Sequence, residues 1–129
     1  MQFQRHYSLD EARALIPQLR HWLTELQRAR QRAARHDERA GPQLAAGADL
    51  GGHAVNEWLQ HLARMQKLLA EFQDREIQVK DLERGLIDFP AIIGGREVFL
   101  CWEQDEDDIE YWHDLDAGYA GREKLQEPE

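Results

Sequence analysis

Cysteine and long apolar runs are what this sequence has least of. A single cysteine excludes an internal disulfide framework and any Cys-x-x-Cys zinc or redox motif, and it fits a reducing compartment. No apolar run approaches the roughly 20 residues that a membrane-spanning helix needs. Residues 1–15 also lack the continuous apolar stretch of a secretion signal. We therefore expect a cytoplasmic protein that makes no contact with membranes.

Basic residues are scarce in the second half of the chain. Residues 1–75 contain 11 Lys/Arg and 9 Asp/Glu, whereas residues 76–129 contain 5 and 16. A segment this acidic repels phosphate backbones, so nucleic acid is not an expected partner. Five arginines between positions 28 and 39 are the exception, but no aromatic residue lies among them. That pattern is typical of a solvated helix end whose Arg stems cover apolar surface.

Two apolar stripes at helical spacing predict two long helices. Ser8 and Glu11 form a capping box at the start of the first. Pro17 is expected to bend this helix, because it removes the hydrogen bond to the carbonyl of residue 13. The two stripes consist of Ala12, Leu15, Ile16, Leu19, Trp22, Leu23 and Leu26, and of Val55, Trp58, Leu59, Leu62, Met65, Leu69 and Phe72.

The Gly- and Ala-rich stretch 40–52 predicts the loop between these helices. Helices of about 28 and 25 residues are longer than the strands of a small sheet, so the hairpin should project beyond the sheet. The projecting part offers a surface for self-association or for another protein.

Three segments, 86–93, 96–103 and 109–114, predict an antiparallel β-meander. Gly94-Gly95 predicts a two-residue turn, because a type I′ turn needs positive φ at both positions. The resulting register pairs Ala91 with Val98, Phe89 with Leu100, and Ile87 with Trp102. These six side chains share one face, which we expect to be the core, together with Ile109 and Tyr111.

The predicted fold is therefore α+β, in one domain over residues 1–129, and the hydrophobic content of 42% supports a folded chain. A long antiparallel helical hairpin (about 8–76) packs on a three-stranded antiparallel meander with a C-terminal loop (about 77–125). The opposite face of the sheet would carry Ile92, Phe99, Cys101 and Trp112 among carboxylates. Such an apolar patch is expected to be covered by the C-terminal segment, a second subunit or a ligand.

Several runs resemble a known family. They are VKDLERGLIDFPA, GREVFLCW, IEYWH and GYAGR, with YSLDEARALIPQLR near the start. Together they resemble a family of small, mostly bacterial proteins, domain of unknown function 2203, over nearly the whole chain. The resemblance implies the domain limits but no activity. It directs attention to Pro17, Asp88, Phe89, Pro90, Arg96, Cys101, Trp102, Trp112, His113, Gly118, Gly121 and Arg122.

A metal site is the most specific chemistry that the residues suggest. His113, Asp114 and Asp88 are the candidate ligands, since imidazole and carboxylates suit a divalent transition metal. The chain has no His-Glu-x-x-His motif, and His113 and Asp114 point to opposite faces if the strand runs through both. The competing interpretation is an edge histidine whose ring bonds to a carboxylate or a carbonyl. Cys101 is expected to be a packed thiol rather than a nucleophile, because anionic neighbours raise the pKa of a thiol.

Arg96 and Arg122 each follow a glycine, and the guanidinium fork suits carboxylate or phosphate. In so acidic a region we expect internal pairing, with Arg122 bonded to Asp88 or Asp114. An anionic ligand is the alternative.

Two functions remain open from the sequence. The first is a non-enzymatic interaction module without cofactor, a homodimer that uses the projecting hairpin or the Phe99/Trp112 face. The second is a small protein that binds a divalent metal or an anionic ligand near the end of the sheet, with hydrolysis as one activity. The candidate ligand or partner surface consists of Asp88, Arg96, Phe99, Cys101, Trp112, His113 and Arg122.

Overall fold

The computed structural model describes residues 1–45 and 52–126, with side chains described outside 36–45. Two helices, α1 (Leu9–Ala45) and α2 (His53–Gln73), pack together against an antiparallel sheet. The sheet order follows the chain, and a short 3-10 turn at Tyr119–Gly121 precedes the last strand. The strands are β1 (Gln78–Asp81), β2 (Leu86–Ile93), β3 (Arg96–Glu103), β4 (Tyr111–Asp114) and β5 (Glu123–Lys124). The α+β prediction is confirmed, but the sheet has five strands instead of three, because short edge strands flank the meander.

The first helix is longer than its apolar stripe. It spans 37 residues and continues through the first part of the expected 40–52 loop, whereas α2 spans 21. Pro17 and Pro42 both lie within α1, since the fixed φ of proline is compatible with a helix. The rest of the expected loop, 46–51, lies outside the described residues, and the bend at Pro17 stays a prediction.

The capping box forms as the sequence predicts. The Glu11 amide donates to Ser8 Oγ at 3.1 Å, and the Ser8 amide donates to Glu11 Oε1 at 3.2 Å. These bonds lower the pKa of the Glu11 carboxyl, with the backbone bond from Ser8 as the main cause. Tyr7, one residue earlier, is buried: its ring packs edge-on against Phe89, and its hydroxyl donates to the Arg75 carbonyl at 2.7 Å. The start of α1 is thereby tied to the sheet and to the end of α2.

The face of the sheet toward the helices, here the inner face, carries the core. The β2–β3 register is the predicted one, and Gly94 and Gly95 have φ of 59° and 78°. Leu19, Leu23, Leu26 and Phe72 of the helices pack into the same cluster. The six inner-face residues of β2 and β3 are all buried: Ile87, Phe89, Ala91, Val98, Leu100 and Trp102.

The third predicted strand lies where it was expected, but its side chains alternate between the two faces in the opposite order. Ile109 is buried in the core as expected, but β4 begins only at Tyr111. Tyr111 pairs with Cys101 and Trp112 pairs with Leu100. Tyr111 therefore lies on the outer face and Trp112 on the inner face, the reverse of the prediction. Residues 109 and 110 are outside regular strand geometry, so the alternation of side chains does not run through them.

Pro90 lies in the middle of β2, where a proline needs an explanation. In an antiparallel strand the N–H and C=O of one residue point to the same neighbour. The Pro90 carbonyl accepts from the Tyr7 amide at 2.7 Å, on the side of β2 where β1, which begins at Gln78 opposite Asp88, does not reach. The missing N–H therefore removes no bond between β2 and β3. The Pro90 carbonyl also attaches the N-terminal segment (residues 1–7) to the sheet.

Among the described helices, neither α1 nor α2 is long and apolar enough to cross a membrane.

Candidate metal centre

Three side chains with metal-binding atoms meet above β3 on the outer face of the sheet. Asp88 of β2 pairs with Cys101 of β3. His113 of β4 pairs with Phe99, which lies two residues before Cys101 on β3. A carboxylate oxygen, the thiol sulfur and a ring nitrogen lie within 4.8 Å of one another. Exposed fractions are 2% for Asp88, 0% for Cys101 and 2% for His113. The sheet thus brings together an oxygen, a sulfur and a nitrogen donor away from water.

The imidazole of His113 is oriented by its two neighbours. Nδ1 lies 2.7 Å from the Asp114 carbonyl oxygen, and Nε2 lies 3.0 Å from Asp88 Oδ2. A carbonyl can only accept, so Nδ1 carries a hydrogen and donates it. In the neutral ring this leaves a lone pair on Nε2 that faces a carboxylate oxygen. A proton or a cation has to lie between these two atoms.

The other carboxylate oxygen of Asp88 is an orphan. Within the described part of the chain, Oδ1 is buried and has no hydrogen-bond partner. An unsatisfied buried polar atom costs about 1–3 kcal/mol, so native proteins seldom keep one without a purpose. Burial raises the pKa of Asp88, and the charge and hydrogen bond of His113, the charge of Lys80 and a hydrogen bond with the Cys101 thiol oppose that shift only in part.

Cys101 is a protonated thiol in this environment. Burial, followed by the negative charge of Asp88, raises its pKa to about 12. A thiol with so high a pKa is a poor nucleophile at neutral pH. It can still bind a metal, because the ion displaces the proton when it coordinates the sulfur.

Arg122 does not pair with Asp88 or Asp114, as the sequence suggested, but with Glu106. Its Nη1 and Nη2 donate to the two carboxylate oxygens of Glu106 at 3.2 and 2.8 Å, and Nη1 lies 3.9 Å from Cys101 Sγ. The guanidinium lies over the rings of Tyr111 at 3.8 Å and Tyr119 at 4.4 Å. Burial lowers the pKa of Arg122, but the bonds to Glu106 outweigh burial and leave that pKa raised.

Glu106 occupies this position because its backbone is held from two sides. Its carbonyl oxygen accepts from Trp102 Nε1 at 3.0 Å and from Arg20 Nη2 at 2.7 Å. Its Oε1 also accepts from the Glu103 amide at 2.8 Å. The acidic loop 104–108 therefore supplies a structural carboxylate. Nothing in its run of acids distinguished position 106 in the sequence.

Asp114, Arg96 and Trp112 lie apart from the buried cluster. Asp114 pairs with Val98, so its side chain points away from His113, as strand alternation required. Its carboxylate bonds to Arg96 at 2.9 Å, and the Arg96 guanidinium lies over Trp112. Asp114 contributes only its backbone carbonyl to the site, and the third candidate ligand is Cys101.

Phe99 is covered by the N-terminal segment, and not by the C-terminal segment, a second subunit or a ligand as predicted from the sequence. The Gln2 and Phe3 amides donate to Glu97 at 2.7 and 3.0 Å, and His6 Nε2 lies 2.6 Å from Glu97 Oε2. The Phe3 ring packs edge-on against Phe99, which is 3% exposed. Since Phe99 is buried and Trp112 lies on the inner face, these two residues do not form one partner surface. The aromatic Phe3 ahead of the capping box was the only signal of this cover.

The fold and this site define a small α+β protein with a buried carboxylate, thiol and imidazole on the outer face of its sheet. The chain belongs to the family described as Uncharacterized conserved protein (DUF2203), whose profile matches residues 5–125. No curated protein and no solved structure gives a significant match to it. That description names no activity, so the function has to be argued from the geometry.

Proposed function

We propose that the protein binds one divalent transition-metal ion, with zinc the best fit, through Asp88, Cys101 and His113. The observation that carries this proposal is the convergence of three different donor atoms within 4.8 Å in a buried place. Thiolate, imidazole and carboxylate are the ligands that zinc takes in proteins. Among the described residues Asp88 Oδ1 lacks a nitrogen or oxygen donor, and a neutral His113 has a lone pair on Nε2 that faces Asp88 Oδ2. Both groups would be satisfied by a cation.

The dimensions and the charge balance support the proposal. Tetrahedral zinc bonded to a nitrogen and an oxygen holds these atoms about 3.4 Å apart. Nε2 and Oδ2 lie 3.0 Å apart, so a small side-chain movement suffices. A carboxylate and a thiolate neutralise a divalent ion, which a buried site requires. The bond from Nδ1 to the Asp114 carbonyl is the support that metal-bound histidines usually have.

Three protein ligands leave one tetrahedral position for water or another ligand. Structural zinc sites generally have four protein ligands, whereas catalytic sites have three and a water. The described residues supply three in this cluster. Hydrolysis is therefore the activity that such a centre would permit. The proposal without this activity is metal binding by a cytoplasmic protein.

Metal titration of the chelator-treated protein tests this function. Native mass spectrometry should show one bound zinc ion per chain, and cobalt should give a sulfur-to-metal charge-transfer band. Cys101→Ser should abolish the band, and His113→Ala and Asp88→Asn should weaken binding strongly. Asp114→Asn is the matched control, because its side chain lies on the other face and its backbone carbonyl is unchanged. Absence of stoichiometric binding, or an equal loss in Asp114→Asn, would contradict the proposal.

Self-association through α2 is the second candidate function. Leu59 and Leu62 belong to the apolar stripe of this helix, yet they are 50% and 37% exposed. They lie in the half of α2 away from its buried residues, Leu68 and Phe72. A homodimer or another protein could cover them. Light scattering over a range of concentrations should then show a dimer that Leu59→Ser with Leu62→Ser converts to monomer; a wild-type monomer would contradict this candidate.

A further inference from the structure

We propose that the C-terminal segment (residues 116–126) is the gate through which a metal ion reaches and leaves the buried cluster, and that the Arg122–Glu106 pair holds this gate closed. The inference rests on the proposed metal site for its purpose. Two segments cover the outer face, the N-terminal one (residues 1–7) and the C-terminal one, and the question is which of them opens.

Some cover has to open. Asp88, Cys101 and His113 are each at most 2% exposed, so a hydrated ion cannot reach them in the closed structure. The outer face has two covers from the ends of the chain. The N-terminal segment lies over Phe99, and the C-terminal segment lies beside Cys101 through Arg122.

The N-terminal segment is the more firmly held of the two. Its Tyr7 is 3% exposed and bonded through both its amide and its hydroxyl. Glu97 accepts two backbone amides and bonds to His6, and Glu76 accepts the Gln4 amide. Opening this segment would break a set of bonds and expose a core side chain.

The C-terminal segment has fewer buried side chains: it is held by the pairing of β5 with β4, by Leu125, which packs against the core, and by Arg122. Between residues 116 and 126, only Arg122 and Leu125 are not exposed. Strand β5 has two residues, both with exposed side chains, and the Leu125 amide donates to the Glu110 carbonyl. Segments with few buried contacts open with the smallest free energy. The C-terminal segment is therefore the cover that opens first.

Arg122 is the main attachment within that segment. Its side chain is 13% exposed, makes two bonds to Glu106 and stacks on Tyr111 of β4. Tyr119 lies between Arg122 and Arg84, so the stack joins the 3-10 turn to the turn between β1 and β2. When Arg122 leaves Glu106, this stack is broken and the group next to Cys101 Sγ is removed. Release of this one side chain would open the path to the sulfur.

Two rates test the gate: the reaction of Cys101 with a disulfide thiol reagent in the metal-free protein, and the transfer of zinc from the loaded protein to a chelator. We expect Arg122→Met to increase both by roughly tenfold or more, the factor that corresponds to about 1.4 kcal/mol. Loss of the Arg122 charge disfavours the thiolate, so a faster thiol reaction can only come from better access. Arg84→Met is the matched control, because Arg84 also stacks on Tyr119 but pairs with Glu103. It should change either rate much less.

Two further variants separate the alternatives. Glu97→Gln loosens the N-terminal segment, and a larger acceleration there than in Arg122→Met would overturn the inference. Leu23→Ala destabilises the core without touching either cover, and an equal acceleration there would show that access requires global unfolding. Unchanged rates in Arg122→Met would also overturn it. A wild-type protein that takes up no zinc would contradict the proposed function, while the thiol rates would still decide which segment covers Cys101.

Discussion

The two faces of the sheet are built on different principles. The inner face is apolar and is buried by two long helices. The outer face buries a carboxylate, a thiol and an imidazole under the two ends of the chain. Apolar burial stabilises without regard to partner chemistry, whereas each buried polar group needs a specific partner. The inner face therefore serves folding, and the outer face, where Asp88 Oδ1 lacks a partner in the described part of the chain, is where a function is expected.

The largest effect should come from the inner face. Phe89→Ala removes a fully buried ring that packs on Tyr7, and it should lower the free energy of unfolding by about 3–5 kcal/mol. Urea denaturation with unchanged slope measures this. A loss below about 1 kcal/mol would mean that the helices do not pack on this face as described.

Zinc should stabilise the protein through the outer face alone. A ligand at a hundred times its dissociation constant raises the free energy of unfolding by about 2.7 kcal/mol. Thermal unfolding with and without zinc should show a shift in the wild type and in Asp114→Asn, but none in Cys101→Ser. The same shift in Cys101→Ser would place the bound ion elsewhere.

Asp88→Asn should separate metal binding from stability. Without metal, the asparagine amide can donate to His113 Nε2, so the variant should be as stable as the wild type at neutral pH, or more stable by about 1 kcal/mol. Burial raises the pKa of Asp88 above its unfolded value. Its favourable contribution is then complete below the unfolded pKa and is lost as the pH rises through the folded pKa.

The advantage of Asp88→Asn should consequently grow from acid to neutral pH, as urea titrations at several pH values would measure. His113→Asn is the comparison variant in these titrations, because it removes the imidazole that bonds to the Asp88 carboxylate. A variant Asp88→Asn that is strongly destabilised at neutral pH would show that the carboxylate serves the fold.

The smallest effect should come from the N-terminal cover. Bonds from His6 and two backbone amides outweigh the burial of Glu97 and lower the pKa of its carboxyl to about 2. A lowered folded pKa gives stability that is present above the unfolded pKa and lost as the pH falls through about 2. Glu97→Gln should therefore lower the melting temperature slightly at pH 6, with a smaller difference at pH 3. An equal difference at both values would contradict an ionised Glu97 in this cover.

The inner face could be predicted from the sequence because its signals are local. Gly94-Gly95 determines the turn, and strand alternation then places Phe89 opposite Leu100 on the buried side. The same alternation correctly separated His113 from Asp114. It failed at Tyr111 and Trp112, since the irregular residues 109 and 110 reset the phase.

The outer face was predictable only in part because its contacts are distant along the chain. Asp88 and His113 are 25 positions apart and meet only when two strand registers are both known. The partner of Arg122 depends on how loop 104–108 is held by Trp102 and Arg20, which no local pattern shows. Short end segments such as residues 1–7 have no periodicity from which a cover could be inferred.

X-ray absorption at the zinc edge is the most direct test of the claim that these three side chains form a metal centre. The account predicts one sulfur scatterer at about 2.3 Å and nitrogen or oxygen scatterers at about 2.0–2.2 Å, including the pattern of one imidazole. Cys101→Ser should remove the sulfur scatterer, and Asp114→Asn should leave the spectrum unchanged. A zinc ion surrounded only by nitrogen and oxygen in the wild type would contradict the account.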